Sequence, residues 1–137
     1  MGMVFETITL KNAGDVANAE RGYISEQEVR ETTVSAVVDT GAFTLVISEE
    51  VREILGLRIR GTKKVTLAND KREVCTVTEP VEIHWKNRDT TLPAIVSSGW
   101  GKILLGALPL EDMDLMVDPV NQKLVGVHGD KIESYIL

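Results

Sequence analysis

The sequence predicts an all-β fold, a closed barrel or a sandwich, and three observations carry that prediction. About ten short runs are rich in β-branched and apolar residues, the pattern of strands buried on one or both faces. Between them stand clusters of Asn, Asp, Gly and Pro, the residues that turn a chain. Only two stretches switch to a helical period, residues 48–56 and about 107–113.

Residues 5–10 alternate loosely as a first strand, and Asn12-Ala13-Gly14-Asp15 offers turn chemistry. Residues 16–31 are polar and irregular, with a second strand expected around Gly22-Tyr23-Ile24. Residues 34–38 are almost continuously apolar, as in a strand buried on both faces. Residues 43–47 form another strand, and the period then changes. Ser48 is a good helix N-cap, Glu49 and Glu50 sit where the helix dipole favours acids, and Gly56 is a natural stop. Residues 64–68 and 72–78 flank Asn69-Asp70 as a hairpin. Residues 80–85 and 91–96 form a further pair, joined through Lys86-Asn87-Arg88-Asp89. A loop over 97–101 leads into the apolar strand 103–105. A short helix follows, tolerating Pro109 in its first turn. Residues 114–117 and 123–127 close the chain as a hairpin about Asp118-Pro119-Val120-Asn121. Neither linker nor repeat interrupts this order, so one domain over residues 1–137 is expected.

Composition narrows the function. The chain has 137 residues, enough for a core without disulfide staples. Its 21 acidic and 15 basic residues give a net charge of −6, which disfavours nucleic acid as a partner. No apolar run approaches the ~20 residues of a membrane helix, and no basic-then-apolar leader is visible, so no membrane association is expected. Cys75 is the single cysteine, so no internal disulfide is possible and a cytoplasmic location is expected. His84 and His128 lack ligand spacing to each other or to Cys75, so neither a metal nor another cofactor is expected. Cys75 has no neighbouring base and reads as a small buried side chain. Ser97-Ser98-Gly99 lacks the frame of a nucleophile elbow. Glu49, Glu50 and Glu53 read as a solvated helix face, and Trp85 and Trp100 as packing or interface residues.

The chemistry concentrates at Asp39-Thr40-Gly41-Ala42, at the end of the apolar strand 34–38. Such a loop presents a carboxylate, with a hydroxyl beside it that can fix it by hydrogen bonding. A glycine there allows backbone conformations that side chains resist. Far downstream comes Ile103-Leu104-Leu105-Gly106, an apolar strand closed by glycine and followed by a helical pattern. Asp-Thr-Gly-Ala followed by a hydrophobic-hydrophobic-Gly strand resembles the aspartic proteases of the retroviral type, the retropepsin family, over about residues 33–125. The resemblance implies a closed β-barrel of the acid-protease type with one or two short helices. It casts Asp39 as the catalytic carboxylate, Thr40 as the hydroxyl residue beneath it and Gly41 as the loop glycine. The hairpin over 64–78 falls where the family has its flap, implying substrate contacts from Leu67, Ala68, Asn69 and Asp70. Ala42, Val37 and Leu104 are implied beside the substrate. The ending, with Asp114-Leu115-Met116-Val117-Asp118-Pro119, looks like that of cellular, especially prokaryotic, members.

Two departures stand out. Viral members usually carry Asp after Asp-Thr-Gly-Ala and Arg after the later glycine, and these help tie a dimer together. Here those positions hold Phe43 and Ala107, so other contacts must do that work. The hairpin tip, Ala68-Asn69-Asp70, also lacks the glycine-rich sequence of viral flaps.

Hydrolysis of a peptide bond without metal or covalent intermediate needs one group to take a proton from water and another to supply one. Two carboxylates in contact divide these roles because both cannot easily ionise, and aspartic proteases are the standard example of this behaviour. One chain carries one Asp-Thr-Gly. Asp89-Thr90-Thr91 lacks the glycine, and Asp118-Pro119 cannot make the turn. An active enzyme therefore requires Asp39 from two chains about a two-fold axis, a homodimer acting on a peptide or protein substrate. The alternative is a retropepsin-fold binding or dimerisation module with a vestigial site.

Overall fold

In the computed structural model of the protein, residues 3–66, 69–97 and 101–129 are described. The chain runs β1 (Val4–Asn12), α1 (Ala13–Glu20), a 3-10 turn (Glu26–Glu28), β2 (Glu31–Val38), β3 (Leu45–Ser48), α2 (Glu49–Leu55) and β4 (Ile59–Thr66). It continues through β5 (Arg72–Trp85), β6 (Arg88–Ser97), β7 (Ile103–Leu105), α3 (Ala107–Asp112), β8 (Leu115–Asp118) and β9 (Lys123–Gly126).

Seven strands form one sheet in the order β1-β2-β7-β3-β6-β5-β4. A further antiparallel pairing of β1 with β5, from Thr9↔His84 to Asn12↔Val81, closes six of them into a barrel. β4 remains outside the ring as an edge strand, paired among the described residues with β5 alone, and all its residues but Val65 are exposed. The closed barrel with few short helices is the fold the resemblance implies. Alternating residues fill its interior, with Ile8, Leu10, Leu45, Ile47, Ile83 and Leu105 almost wholly removed from water. Among the described residues no helix is long and apolar enough to cross a membrane.

Three local expectations are corrected. Asn12-Ala13-Gly14-Asp15 begins a helix instead of a turn. The Asn12 side chain accepts the Asp15 N–H at 3.1 Å, an N-cap, and donates its amide to Leu55 O at 2.9 Å. Asn serves turns and caps by the same short-range bonding, so composition alone did not separate them. Residues 22–24 form no strand: Gly22 takes φ 78°, and the Tyr23 N–H returns to Asn18 O at 2.9 Å. The expected strands 72–78 and 80–85 are one strand, bent by a register shift between Val77 and Pro80. Pro80 has no N–H to offer the ladder, and buried Thr78 fills the gap. Its hydroxyl accepts the Ala94 N–H at 3.1 Å and donates to Glu79 O at 2.7 Å. The helix at 48–56 forms as expected, with Ser48 Oγ accepting the Val51 N–H and Gly56 at φ 62°.

Two buried charges hold the periphery to the barrel. Arg88, expected in a turn, is 3% exposed and opens β6. Its guanidinium donates to Met113 O at 2.8 Å, to Asp114 O at 2.7 Å and to Gly129 O. It thereby fastens the ends of the β8–β9 hairpin to the barrel. The Asp114 carboxylate also receives the His128 ring Nδ1 at 2.8 Å, while His84 pairs with Glu82. The Trp85 indole donates to Glu6 at 3.1 Å, a packing role.

Asp15 on α1 accepts the Arg30 backbone N–H at 3.0 Å and its guanidinium at 2.8 and 3.0 Å. Hydrogen bonding from the Arg30 side chain, opposed by burial, holds the Asp15 carboxyl below its ordinary value. A depressed folded-state pKa stabilises above the unfolded value and is lost as pH falls through the folded one. Asp15→Asn is therefore expected to cost about 1–3 kcal/mol at pH 7. In urea denaturation the gap between wild type and variant should narrow as pH falls below the ordinary carboxylate range.

Candidate active site

Asp39 emerges from β2 at the point where β2 runs parallel to β7, with Ala36, Val37 and Val38 beside Ile103, Leu104 and Leu105. The Asp39 N–H donates to Leu105 O at 3.0 Å, so the loop starts pinned to β7. The Ala42 N–H turns back to Asp39 O at 3.1 Å. The Gly41 N–H donates to the Asp39 carboxylate at 2.9 Å. The chain's own backbone thus orients the carboxylate, and Thr40 is exposed.

Gly41 is not in the left-handed region, which corrects the reason given for it above. A Cβ there would stand 3.1 Å from Asp39 Oδ1, so glycine matters because the carboxylate folds over it. Gly106 is more tightly constrained. Its added Cβ would meet Thr44 O at 2.4 Å, Ala42 O at 2.5 Å and Thr44 N at 2.7 Å. This close approach lets Ala107 N–H reach Ala42 O and Leu108 N–H reach Phe43 O, each at 2.8 Å. The motifs Asp-Thr-Gly-Ala and Leu-Leu-Gly are therefore two halves of one clasp.

A cleft of about 620 Å³ opens above Asp39. Gly41, Ala42, Phe43 and Thr44 border it on the loop side, and Val46, Ile95 and Leu104 form an apolar floor. The β4–β5 hairpin supplies Lys63, Lys64, Val65, Thr66, Glu73 and Cys75. Lys63 Nζ lies 4.2 Å from the centre of the Phe43 ring, a cation–π contact joining hairpin and loop. Burial, reinforced by Glu73, pushes the Cys75 thiol up, which disfavours the reactive thiolate.

Of the residues expected beside substrate, Ala42 and Leu104 line this cleft. Val37 is buried next to Leu104 and does not line it. Asn69 and Asp70 form the hairpin turn, with the Lys71 N–H on Asn69 Oδ1 at 3.1 Å and Asp70 at φ 63°, and they too stand outside the lining. Leu67, Ala68, Ser98, Gly99 and Trp100 lie outside the described residues. Sequence reading passed over Lys63, Glu73, Thr44 and Ile95 as cleft residues. Their shared place comes from strand register, as in Val46↔Ile95 and Val65↔Glu73.

A closed barrel presenting a carboxylate on a glycine-clasped loop beside a β-hairpin defines the retropepsin-like class. The chain belongs to the aspartyl protease family, whose model, described as aspartyl protease, matches residues 25–109. The crystal structure of a retropepsin-like aspartic protease from Rickettsia conorii is similar in fold, with a TM-score of 0.53 at 14% identity. That match covers 85% of this chain and 77% of the other. No curated protein matches the chain.

Proposed function

We propose that two copies of this chain, each acting as a single domain, form an aspartic endopeptidase. Water is activated between two Asp39 carboxylates, one from each copy. The observation that carries this reading is the Asp39 carboxylate, held by Gly41 at the floor of a hairpin-covered cleft, in a member of the aspartyl protease family. The ionised carboxylate accepts a proton from water as the water oxygen bonds to the peptide carbonyl carbon. The protonated carboxyl of the other Asp39 gives its proton to the carbonyl oxygen, and the pair titrates as a unit. Peptide lies extended in the cleft, with main-chain hydrogen bonds supplying much of the recognition. In this reading Thr40, exposed on the loop, supports the paired carboxylates once the second chain is present. A reducing, cytoplasmic setting suits a chain whose only cysteine is buried.

The test is digestion of a peptide library by the purified chain, with pepstatin-like inhibition as a second readout. Specific activity should fall on dilution, because each chain holds half a site. Activity per chain that is independent of concentration down to the monomer would refute the shared site. A folded dimer that cleaves nothing would point to the binding module.

The β4–β5 hairpin acts here as a movable cover. Hydrogen exchange at Lys63, Lys64 and Val65 should run at least about tenfold faster than at Ala36–Val38, and slow when an inhibitor occupies the cleft. Equal protection of the two segments without inhibitor would remove the cover from this reading.

A further inference from the structure

We infer that the outer edge of β4 is a docking site for an acidic, extended segment of a protein partner, which joins the sheet there as an added strand. The site stands beside the cleft and is tested by binding alone, so it goes beyond the half-site reading and does not depend on it.

β4 is 8 residues long, pairs among the described residues with β5 alone, and is exposed at every position but Val65. An edge strand gives half of its main-chain N–H and C=O groups to its neighbour and turns the rest outward, the template on which a peptide strand adds. The pairs Lys64↔Val74 and Thr66↔Arg72 put Lys64 and Arg72 on one face of the hairpin. Lys63 shares the other face with Cys75, and its ammonium lies over the Phe43 ring. Bases thus flank the edge on both faces, and alternate side chains of an added strand would meet each face in turn.

Charge selects the occupant. Residues 58–66 and 71–72 hold Arg58, Arg60, Lys63, Lys64, Lys71 and Arg72, all exposed, and no acid, whereas the rest of the chain carries 9 basic and 21 acidic residues. Nearby acids answer only part of this charge. Glu79 pairs with Arg58 at 3.3 Å and lies in the field of Arg60, Glu73 stands across from Val65, and Asp70 sits in the turn. Among the described residues no ion pair engages Lys64, Lys71 or Arg72. Charge on an edge strand can also guard against unwanted pairing, but a guard works with either sign, and here six bases gather on a chain of net charge −6. Like charges on two β4 edges repel, which disfavours a second copy as the occupant. A nucleic acid would meet the same bases, yet no Phe, Trp or Tyr occurs from residue 58 to 79 to stack on it, and the rest of the chain repels it. An acidic peptide strand satisfies both the edge and the charge. Lys63, Lys64, Val65 and Thr66 also line the cleft, so a partner held on β4 is presented at its mouth.

The experiment is fluorescence anisotropy with a labelled peptide of alternating Glu and Thr, long enough to span β4. The full chain carries Asp39→Asn, so that the probe is bound and not cut. A Gln–Thr peptide should bind about tenfold more weakly or worse, and so should a Glu–Thr peptide N-methylated at every residue, which keeps its charge but has no N–H to pair. Arg60→Gln together with Lys64→Gln should weaken the Glu–Thr peptide about tenfold. Arg21→Gln together with Lys123→Gln, exposed bases elsewhere, should leave it unchanged. Raising NaCl from about 50 mM to about 500 mM should weaken binding about fivefold or more. Circular dichroism melts verify that the variants fold. Equal binding of the Gln–Thr peptide or of the N-methylated peptide overturns the site, the first in its charge and the second in its strand. A doubly substituted chain that binds as its parent does removes the site from β4. A single-stranded oligonucleotide that binds more tightly than the Glu–Thr peptide overturns the site in favour of nucleic acid. Cleavage is scored separately. A chain that binds the acidic peptide while the wild type digests no library keeps this site and loses the endopeptidase reading, and the converse result keeps the endopeptidase and loses this site.

Discussion

Asp39→Asn is expected to lower peptide cleavage by about 10²–10⁴-fold or more, the range general acid–base catalysis supplies, while leaving the fold intact. Asn keeps an oxygen where Asp39 Oδ1 accepts the Gly41 N–H at 2.9 Å, so the loop retains its shape. What it loses is the capacity to hold and release a proton. Both halves of a dimer change together, so neither chain rescues the other. In the proposed dimer, replacing the carboxylate pair by amides removes the cost of holding two ionisable acids together, so association should be equal or slightly tighter. A mixing experiment sharpens the test: excess Asp39→Asn added to wild type should suppress activity by capturing active chains in mixed dimers. Full cleavage by the variant would eliminate the mechanism.

Gly106→Ala is expected to destabilise the chain by about 3 kcal/mol or more, at the upper end of overpacking costs. The new methyl group would fall within 2.7 Å of three backbone atoms of Ala42 and Thr44. Backbone atoms in a clasped loop cannot rotate aside as a flexible side chain can. Relief requires β7 and the Asp39 loop to separate, which breaks the bonds from Ala107 to Ala42 and from Leu108 to Phe43. Stability and carboxylate placement should therefore fail together. Urea denaturation measures the first and cleavage the second. Gly61→Ala, where an added Cβ meets nothing within 4 Å, is the control and should be nearly neutral. A Gly106→Ala protein as stable as wild type would show that the clasp has slack.

Much of this molecule is legible in its sequence because the physics is local. Ser48 and Gly56 bound a helix through caps that need only their neighbours. The run at 34–38 reads as a strand from its apolar residues and lies in β2, although only Ala36 and Val37 are buried and Ser35 is exposed. The two motifs of the active-site clasp can be quoted from the sequence, but their contact cannot. Nothing at Gly106 announces that Thr44 O would sit 2.4 Å from its missing Cβ. The cleft residues Lys63, Glu73 and Ile95 were hidden for the same reason, since register between distant strands decides which side chains meet. Asn12 misled because turns and helix caps use the same side-chain bond. Arg88 misled because a charged residue in a polar stretch reads as exposed, and its partners are carbonyls that have no sequence signature.

That last contact bears on how this chain can drift over evolutionary time. Arg88 grips its targets by main-chain oxygens at Met113, Asp114 and Gly129, and every amino acid supplies such an oxygen. Selection on the fastening therefore falls on one side chain, not on the partners it holds. At position 113 the carbonyl would survive any substitution, but the Met113 side chain is buried in the core, so packing limits that position to apolar residues even though the fastening does not. A comparison by architecture would look for one arginine reaching three main-chain oxygens.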